Sequence, residues 1–201
     1  YTKVDQQLVR NYGSYGRVDV VGLKAGNYSL KVVAVDANGA ETSAYGVADN
    51  LKVVNYDRQG FAHKGISDGV GAYNNDGTLK AGAKVLYVTK NTFKTIKASL
   101  SDGKKPVEYT GIGDILLAKQ KGQDKTPLAV RVIGEIKTAD AGDQLKTDQK
   151  GLLLKGNNAT TVMNVTIEGI GDDACFNGFG LGIINGTNVE VRNMAFFNQG
   201  S

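Results

Sequence analysis

Apolar and polar residues alternate along much of this chain, most plainly in Asn164-Val165-Thr166-Ile167-Glu168-Gly169-Ile170, a phrase that returns as Asn188-Val189-Glu190-Val191-Arg192-Asn193-Met194. Every pair of equivalent positions is separated by the same twenty-four residues. In each copy an Asn opens the run, apolar residues take alternate places (Val165, Ile167; Val189, Val191), and polar ones fall between (Thr166, Glu168; Glu190, Arg192). A period of two sends successive side chains to opposite faces, so both copies are predicted strands with one buried face. A strand-built repeat of this length predicts a stack in which each coil covers the one before, as in a parallel β-helix. Predicted strands at 128–133, 152–154, 165–170, 181–184 and 189–196 keep that cadence.

The front of the chain reads differently. Tyr28, Leu30, Val32 and Ala34 alternate toward one face, Asn38-Gly39 offers a hairpin turn, and a second apolar run ends at Leu51 to Tyr56. The order Gly22-Leu23, Gly26, Tyr28, then a strand closing on Ala34-Val35-Asp36, resembles the later strands of a fibronectin type III domain. Such a sandwich takes about seven strands and about 100 residues, so a partial β-sandwich is expected over residues 1–57. The polar, glycine-containing stretch from Asp57 to Gly65 is the predicted junction, with residues 58–201 forming the second domain. His63 within it is read as a solvent-facing loop residue, because no acid or nucleophile lies nearby in sequence.

The glycines of Gly69 to Lys80 do not make a phosphate loop, since no Gly-Lys-Ser/Thr follows. Asn74, Asn75 and Asp76 offer oxygens but lack the spacing of an EF-hand, so a tight turn at Asp76-Gly77 is expected. Lys84 to Thr89 is a predicted strand, Gly111 to Gln120 a short amphipathic helix, and Pro127 to Ile136 a strand with Leu128, Val130 and Val132 on one face.

Composition agrees with a mostly β chain: 27 glycines against 2 prolines among 201 residues, with many Val, Ile, Thr and Tyr. At 41% apolar residues the chain can bury a core. The net charge of +4 comes from lysines scattered among acids, which describes a solvated surface; an acidic polymer is permitted as a partner, and no nucleic acid is expected. The single cysteine, Cys175, excludes an internal disulfide framework and is read as a small residue near the core. With one histidine there is no zinc cluster, and no apolar run reaches membrane-spanning length.

The run Ile167-Glu168-Gly169-Ile170-Gly171-Asp172-Asp173-Ala174-Cys175-Phe176-Asn177-Gly178-Phe179-Gly180-Leu181, followed by Asn188-Val189-Glu190-Val191-Arg192-Asn193-Met194-Ala195-Phe196, resembles the amino-terminal coils of the pectate lyase family. Gly69 to Lys80 and Val130 to Ile136 fit the same family, so the resemblance covers residues 61–201. It implies a right-handed parallel β-helix, secretion, and calcium-dependent β-elimination on polygalacturonate (pectin). A proton beside a carboxylate is hardly acidic, so that chemistry needs a cation on the carboxylate and stabilisation of the enolate-like charge. Calcium suits the first task, and the family's general base is an arginine displaced from its usual protonated state.

In that family the calcium-binding Asp residues and the catalytic Arg follow the Asn-Val-x-Val-Arg-Asn strand. The resemblance therefore assigns no catalytic or cofactor-binding residue to this chain, and expects the calcium ligands on later coils of the same protein. Asp172 and Asp173 are expected to cap backbone amides in a Gly-rich turn, and Arg192 to be an outward packing or ion-pair residue. Asn164 and Asn188 are expected to stack as a ladder inside turns, each amide bonding its neighbour's backbone. The sequons at Asn27, Asn158, Asn164 and Asn185 matter only in a eukaryotic secretory route. Tyr1 follows no initiator Met or signal peptide and Met194 to Phe197 ends the chain uncovered, so a piece cut at both ends, inactive alone, is expected. Two other readings stay open: a non-catalytic carbohydrate-binding or surface β-helix, and a galacturonan hydrolase with paired Asp residues and no calcium requirement.

Overall fold

The computed structural model describes residues 1–57, 60–145 and 151–198. The chain is mostly β and divides into two compact units, Tyr1–Arg58 with Asn75–Thr78, and Gln59–Asn74 with Leu79–Ser201.

In the first unit β1 (Val9–Asn11) pairs antiparallel with β2 (Gly16–Val18), and β3 (Gly26–Val35) with β4 (Glu41–Val53). The turn expected at Asn38-Gly39 is present. The Asp36 carboxylate accepts the N–H groups of Asn38 and Ala40, at 2.8 and 2.9 Å, and Gly39 takes a φ of +81° that a Cβ would disfavour. The predicted alternation holds only at its start. Tyr28 and Leu30 are half-buried, whereas Val32 is 59% exposed and Ala34 is also exposed. The physical reason lies in the sheet: β3 and β4 form a two-stranded ribbon, with no third strand on either edge among the described residues, and β4 is exposed along its length except at Val53.

The second unit is built on parallel pairing. β5 (Lys84–Val88), β8 (Leu128–Lys137), β10 (Val162–Asn177) and β12 (Thr187–Arg192) lie side by side in one sheet. The sequence repeat is its register: Val165 lies against Val189, Thr166 against Glu190, Ile167 against Val191 and Glu168 against Arg192. After an interruption between Ile170 and Cys175, β10 continues against the end of β8 and against β13 (Ala195–Phe197). A second parallel pair joins β9 (Gly151–Lys155) to β11 (Gly180–Ile184). Close stacking explains Gly169, where a Cβ would sit 2.0 Å from the Asn193 carbonyl oxygen.

Parallel sheets are covered on both faces. One face here supplies Leu86, Val130, Ile167 and their neighbours to the main core, together with Phe93, Phe176 and Phe179. The Phe176 and Phe179 rings stack with centroids 4.7 Å apart. Helix α1 (Ile112–Ala118) closes this core with Ile112, Ile115 and Leu116, one face at the spacing of a helical turn. Its first amides are satisfied from a distance: Gln144 Oε1 accepts from Gly113 and Asp114, at 3.0 and 3.3 Å. The antiparallel hairpin of β6 (Lys97–Ser101) and β7 (Pro106–Thr110) packs beside the helix. Behind it the fully buried Lys119 Nζ donates to Asp124 Oδ1 (3.0 Å) and to the carbonyls of Asp124 and Thr126, while Asp124 accepts the N–H of Ser101 at 2.6 Å.

Candidate functional site

The face of the sheet turned away from the main core carries charge. Tyr87, Arg131, Glu168 and Arg192 form one register row across β5, β8, β10 and β12, and Val85, Ala129, Thr166 and Glu190 form the next row on the same face. Arg131 Nε donates to Glu168 Oε1, its Nη1 to the Tyr87 hydroxyl and its Nη2 to the Tyr73 hydroxyl, each at 3.0 Å. Tyr73 donates its proton to that same Glu168 oxygen. Arg192 grips the other oxygen, Oε2, through Nε at 2.9 Å and Nη2 at 2.6 Å, and lies 4.4 Å over the Tyr73 ring. Glu168 is thus held between two guanidinium groups.

A second layer over this face comes from the segment before β5. Ala72, Tyr73, Leu79, Val85 and Ala129 pack together, and the Ala72 N–H donates to Thr166 Oγ1 at 3.0 Å. Gly71, at φ +60°, passes so close that a Cβ would lie 2.1 Å from that hydroxyl oxygen, a position only glycine tolerates. Its N–H donates to Asn188 Oδ1 at 2.8 Å. Asn188 Nδ2 in turn donates to Asn164 Oδ1, and Asn164 Nδ2 to the Lys125 carbonyl at 2.6 Å. The two asparagines stack as expected, but only the Asn164 amide nitrogen bonds backbone; that of Asn188 bonds the side-chain oxygen of Asn164 instead.

Burial and neighbouring charge shift Tyr73 and Arg131 in the opposite sense to what proton abstraction would need. Burial, reinforced by the Glu168 carboxylate, pushes the Tyr73 phenol well above the usual range, so it remains a donor. Burial opposes the charge on Arg131, but Tyr73 and Glu168 outweigh it and hold the guanidinium above its ordinary value. A general base needs the opposite shift. The arrangement is suited to clamping the covering segment to the sheet, and Arg131 is not placed to abstract a proton.

The residues singled out from sequence fall into place as follows. His63 is not solvent-facing: its side chain is 7% exposed and Nε2 lies 3.1 Å from Glu190 Oε1. The acid it lacked nearby in sequence comes from β12, 127 residues away. Arg192 is an ion-pair residue, bonded to Glu168. Asp172 and Asp173 are exposed where the pairing of β10 is interrupted. Cys175 is buried in β10, and that burial, with Glu135 and Asp173 near, pushes its thiol up. Asp76 forms the expected turn by accepting from the Thr78 hydroxyl (2.6 Å) and N–H (3.1 Å), bonds that lower its pKa. Among the sequons, Asn164 has its side-chain nitrogen engaged, and Asn158 Oδ1 accepts from the Thr160 N–H and hydroxyl at 3.0 and 2.8 Å. Sequence reasoning missed Tyr73, Arg131, Glu168 and Glu190 as one cluster; the only local signal was the exchange of Glu168 for Arg192 at one place in the repeat.

A hollow of about 470 Å³ lies beside α1 and the β6–β7 hairpin, lined by Asp102, Glu108, Tyr109, Asp114 and Gln123. Its carboxylates give it the wrong sign for a polyuronate. Among the described residues no three His, Cys, Asp or Glu side chains come together as a metal site, and the two buried carboxylates of the charged rows are engaged by Arg and His. Held in this way, the carboxylates of Glu168 and Glu190 do not fit calcium. No helix among the described residues is long and apolar enough to cross a membrane. The chain matches no protein-family model, no curated protein and no solved structure.

Proposed function

We propose that this chain is the amino-terminal scaffold of a secreted, calcium-dependent polysaccharide lyase that cleaves polygalacturonate by β-elimination. In this reading residues 58–201 are the first coils of a parallel β-helix, right-handed as the resemblance implies. A partial fibronectin type III-like domain precedes them. The calcium ligands and the arginine base lie on later coils of the same protein. The observation that supports the reading best is the Asn-Val phrase: its twenty-four-residue repeat coincides with an in-register parallel pair, joined by an Asn-to-Asn hydrogen bond. Its second copy belongs to the run that resembles the pectate lyases. The role of the present residues is then to hold coils in register, so that groups on successive coils meet one sugar.

The test is incubation of the full-length protein with polygalacturonate, following the ultraviolet absorbance of the unsaturated product. Absorbance should rise with calcium and stop when a chelator is added. A protein that retains the polymer without cutting it would instead be a binding scaffold, and one that cuts it without producing that absorbance would be a hydrolase.

A further inference from the structure

Three asparagines of this chain are followed by glycine, at Asn38-Gly39, Asn177-Gly178 and Asn185-Gly186. In such a pair the glycine nitrogen can attack the asparagine side-chain carbon, because no Cβ hinders its approach and the ring that closes is an unstrained cyclic imide. The dipeptide is the same in all three places, but its surroundings are not. The Gly39 N–H donates to the Asp36 carbonyl at 3.0 Å, and the Asn38 N–H to the Asp36 carboxylate at 2.8 Å. The Gly178 N–H donates to the Phe197 carbonyl at 2.9 Å. The Asn177 side chain is held as well, its Nδ2 donating to Glu135 Oε1 at 2.7 Å and its Oδ1 accepting from Asn198 at 3.0 Å. Asn185 differs at both reacting groups. It is exposed in the turn between β11 and β12, at a φ of +49°, and among the described residues neither its side-chain amide nor the Gly186 N–H has a hydrogen-bond partner.

We propose that Asn185 is a site of self-modification, at which the chain converts its own asparagine to aspartate and isoaspartate while Asn38 and Asn177 are spared. The Gly186 nitrogen forms a bond to Asn185 Cγ, the Cγ–Nδ2 bond breaks, and ammonia leaves with the proton of the Gly186 N–H. Solvent water then opens the imide. Cleavage of the new Cγ–N bond gives aspartate, and cleavage at the backbone carbonyl carbon gives isoaspartate; water is consumed, ammonia is released and nothing is oxidised or reduced. Either product adds one negative charge to the turn. Isoaspartate also routes the main chain through the former side chain, which lengthens the turn by one carbon. The fold leaves no slack for that: a Cβ on Gly156 would lie 1.8 Å from the Asn185 carbonyl oxygen. On either side of that contact the Gly156 N–H donates to the Ile184 carbonyl and the Thr187 N–H to the Thr161 carbonyl, both at 2.8 Å. The modification therefore loosens the seat of this turn on the segment that follows β9.

The experiment stores the full-length protein at mildly alkaline pH, one sample folded and one unfolded in guanidinium chloride. The protein is made without N-glycosylation, because a glycan on the Asn185 sequon would occupy the same nitrogen. Peptide mapping by mass spectrometry reads the gain of about 1 Da at each asparagine as its NH₂ is replaced by OH. Unfolded, the three sites should convert at similar rates. Folded, Asn185 should convert at least about fivefold faster than Asn38, the factor that one intramolecular hydrogen bond supplies. Asn177, whose pair is held by three such bonds, should be the slowest. Hydrogen exchange at the Gly156 amide should quicken in the isoaspartate fraction. Equal rates at the three sites of the folded protein, or an Asn185 that stays intact while Asn38 or Asn177 converts, would overturn the proposal.

Discussion

Glu168→Gln is the substitution that bears most directly on the charged row. Glu168 is 3% exposed and its two oxygens accept from Tyr73, Arg131 and, twice, Arg192. Glutamine keeps one acceptor and turns an NH₂ group toward the donors on one side. Arg131, itself 4% exposed, loses its counter-charge whichever way the amide points. Breaking a buried ion pair from one side costs about 3–5 kcal/mol, mostly because the remaining charge stays buried. With a urea slope of about 2 kcal/mol per molar for a domain of this size, the unfolding midpoint should fall by about 2 M. The single Cys175, buried in β10, supplies the assay: pulse labelling of its thiol in urea reports the second unit alone, which matters in a chain of two units. The control is Glu108→Gln, whose partner Lys97 lies at 2.8 Å but where both side chains are 60% exposed; its midpoint should hardly move. If Glu168→Gln shifts the midpoint no more than this control, the row is not what clamps the sheet.

Other consequences can be tested on the same protein. Gly169→Ala sets a methyl against the Asn193 carbonyl and 2.7 Å from Ala174 Cβ, and should cost about 1–3 kcal/mol in thermal unfolding; an unchanged melting temperature would mean that the coils are not this close. Asn188→Ala loses the ladder bonds and places alanine at φ +58°, for a cost of about 2 kcal/mol, whereas Asn188→Gly keeps the backbone and should cost less in urea unfolding. Burial raises the Asp124 carboxyl, but bonds from Ser101, Lys119 and Thr126 outweigh it and leave its pKa below the usual value. A carboxylate depressed in the folded state contributes stability that is present above its ordinary unfolded pKa and lost as pH falls through the folded one. Exchange at the Ser101 amide should therefore accelerate in that acid range in the wild type, and Asp124→Asn should abolish the pH step.

What could be read from sequence was local in character. The Asn-Val repeat became a register because strand period and coil length are both written in neighbouring residues, and the Asn38-Gly39 turn and the helix after Gly111 were legible for the same reason. Contacts between distant residues left no such trace. Arg131 and Glu168 are 37 residues apart and His63 and Glu190 are 127, and apart from the Glu168–Arg192 exchange in the repeat nothing local distinguishes them from solvated charges. His63 in particular sits in a polar stretch, which predicts exposure until β12 supplies its acid. The front ribbon failed in the other direction: alternation at Val32 and Ala34 predicts a buried face, but burial requires an opposing layer, and the described residues provide none there.

The central claim, that these stacked strands belong to a lyase acting on a polyuronate, is tested most directly by the full-length protein and polygalacturonate in calcium. The account predicts a steady rise in ultraviolet absorbance from unsaturated ends, halted by chelation and restored by added calcium. An unchanged absorbance and an intact polymer under the same conditions would contradict it.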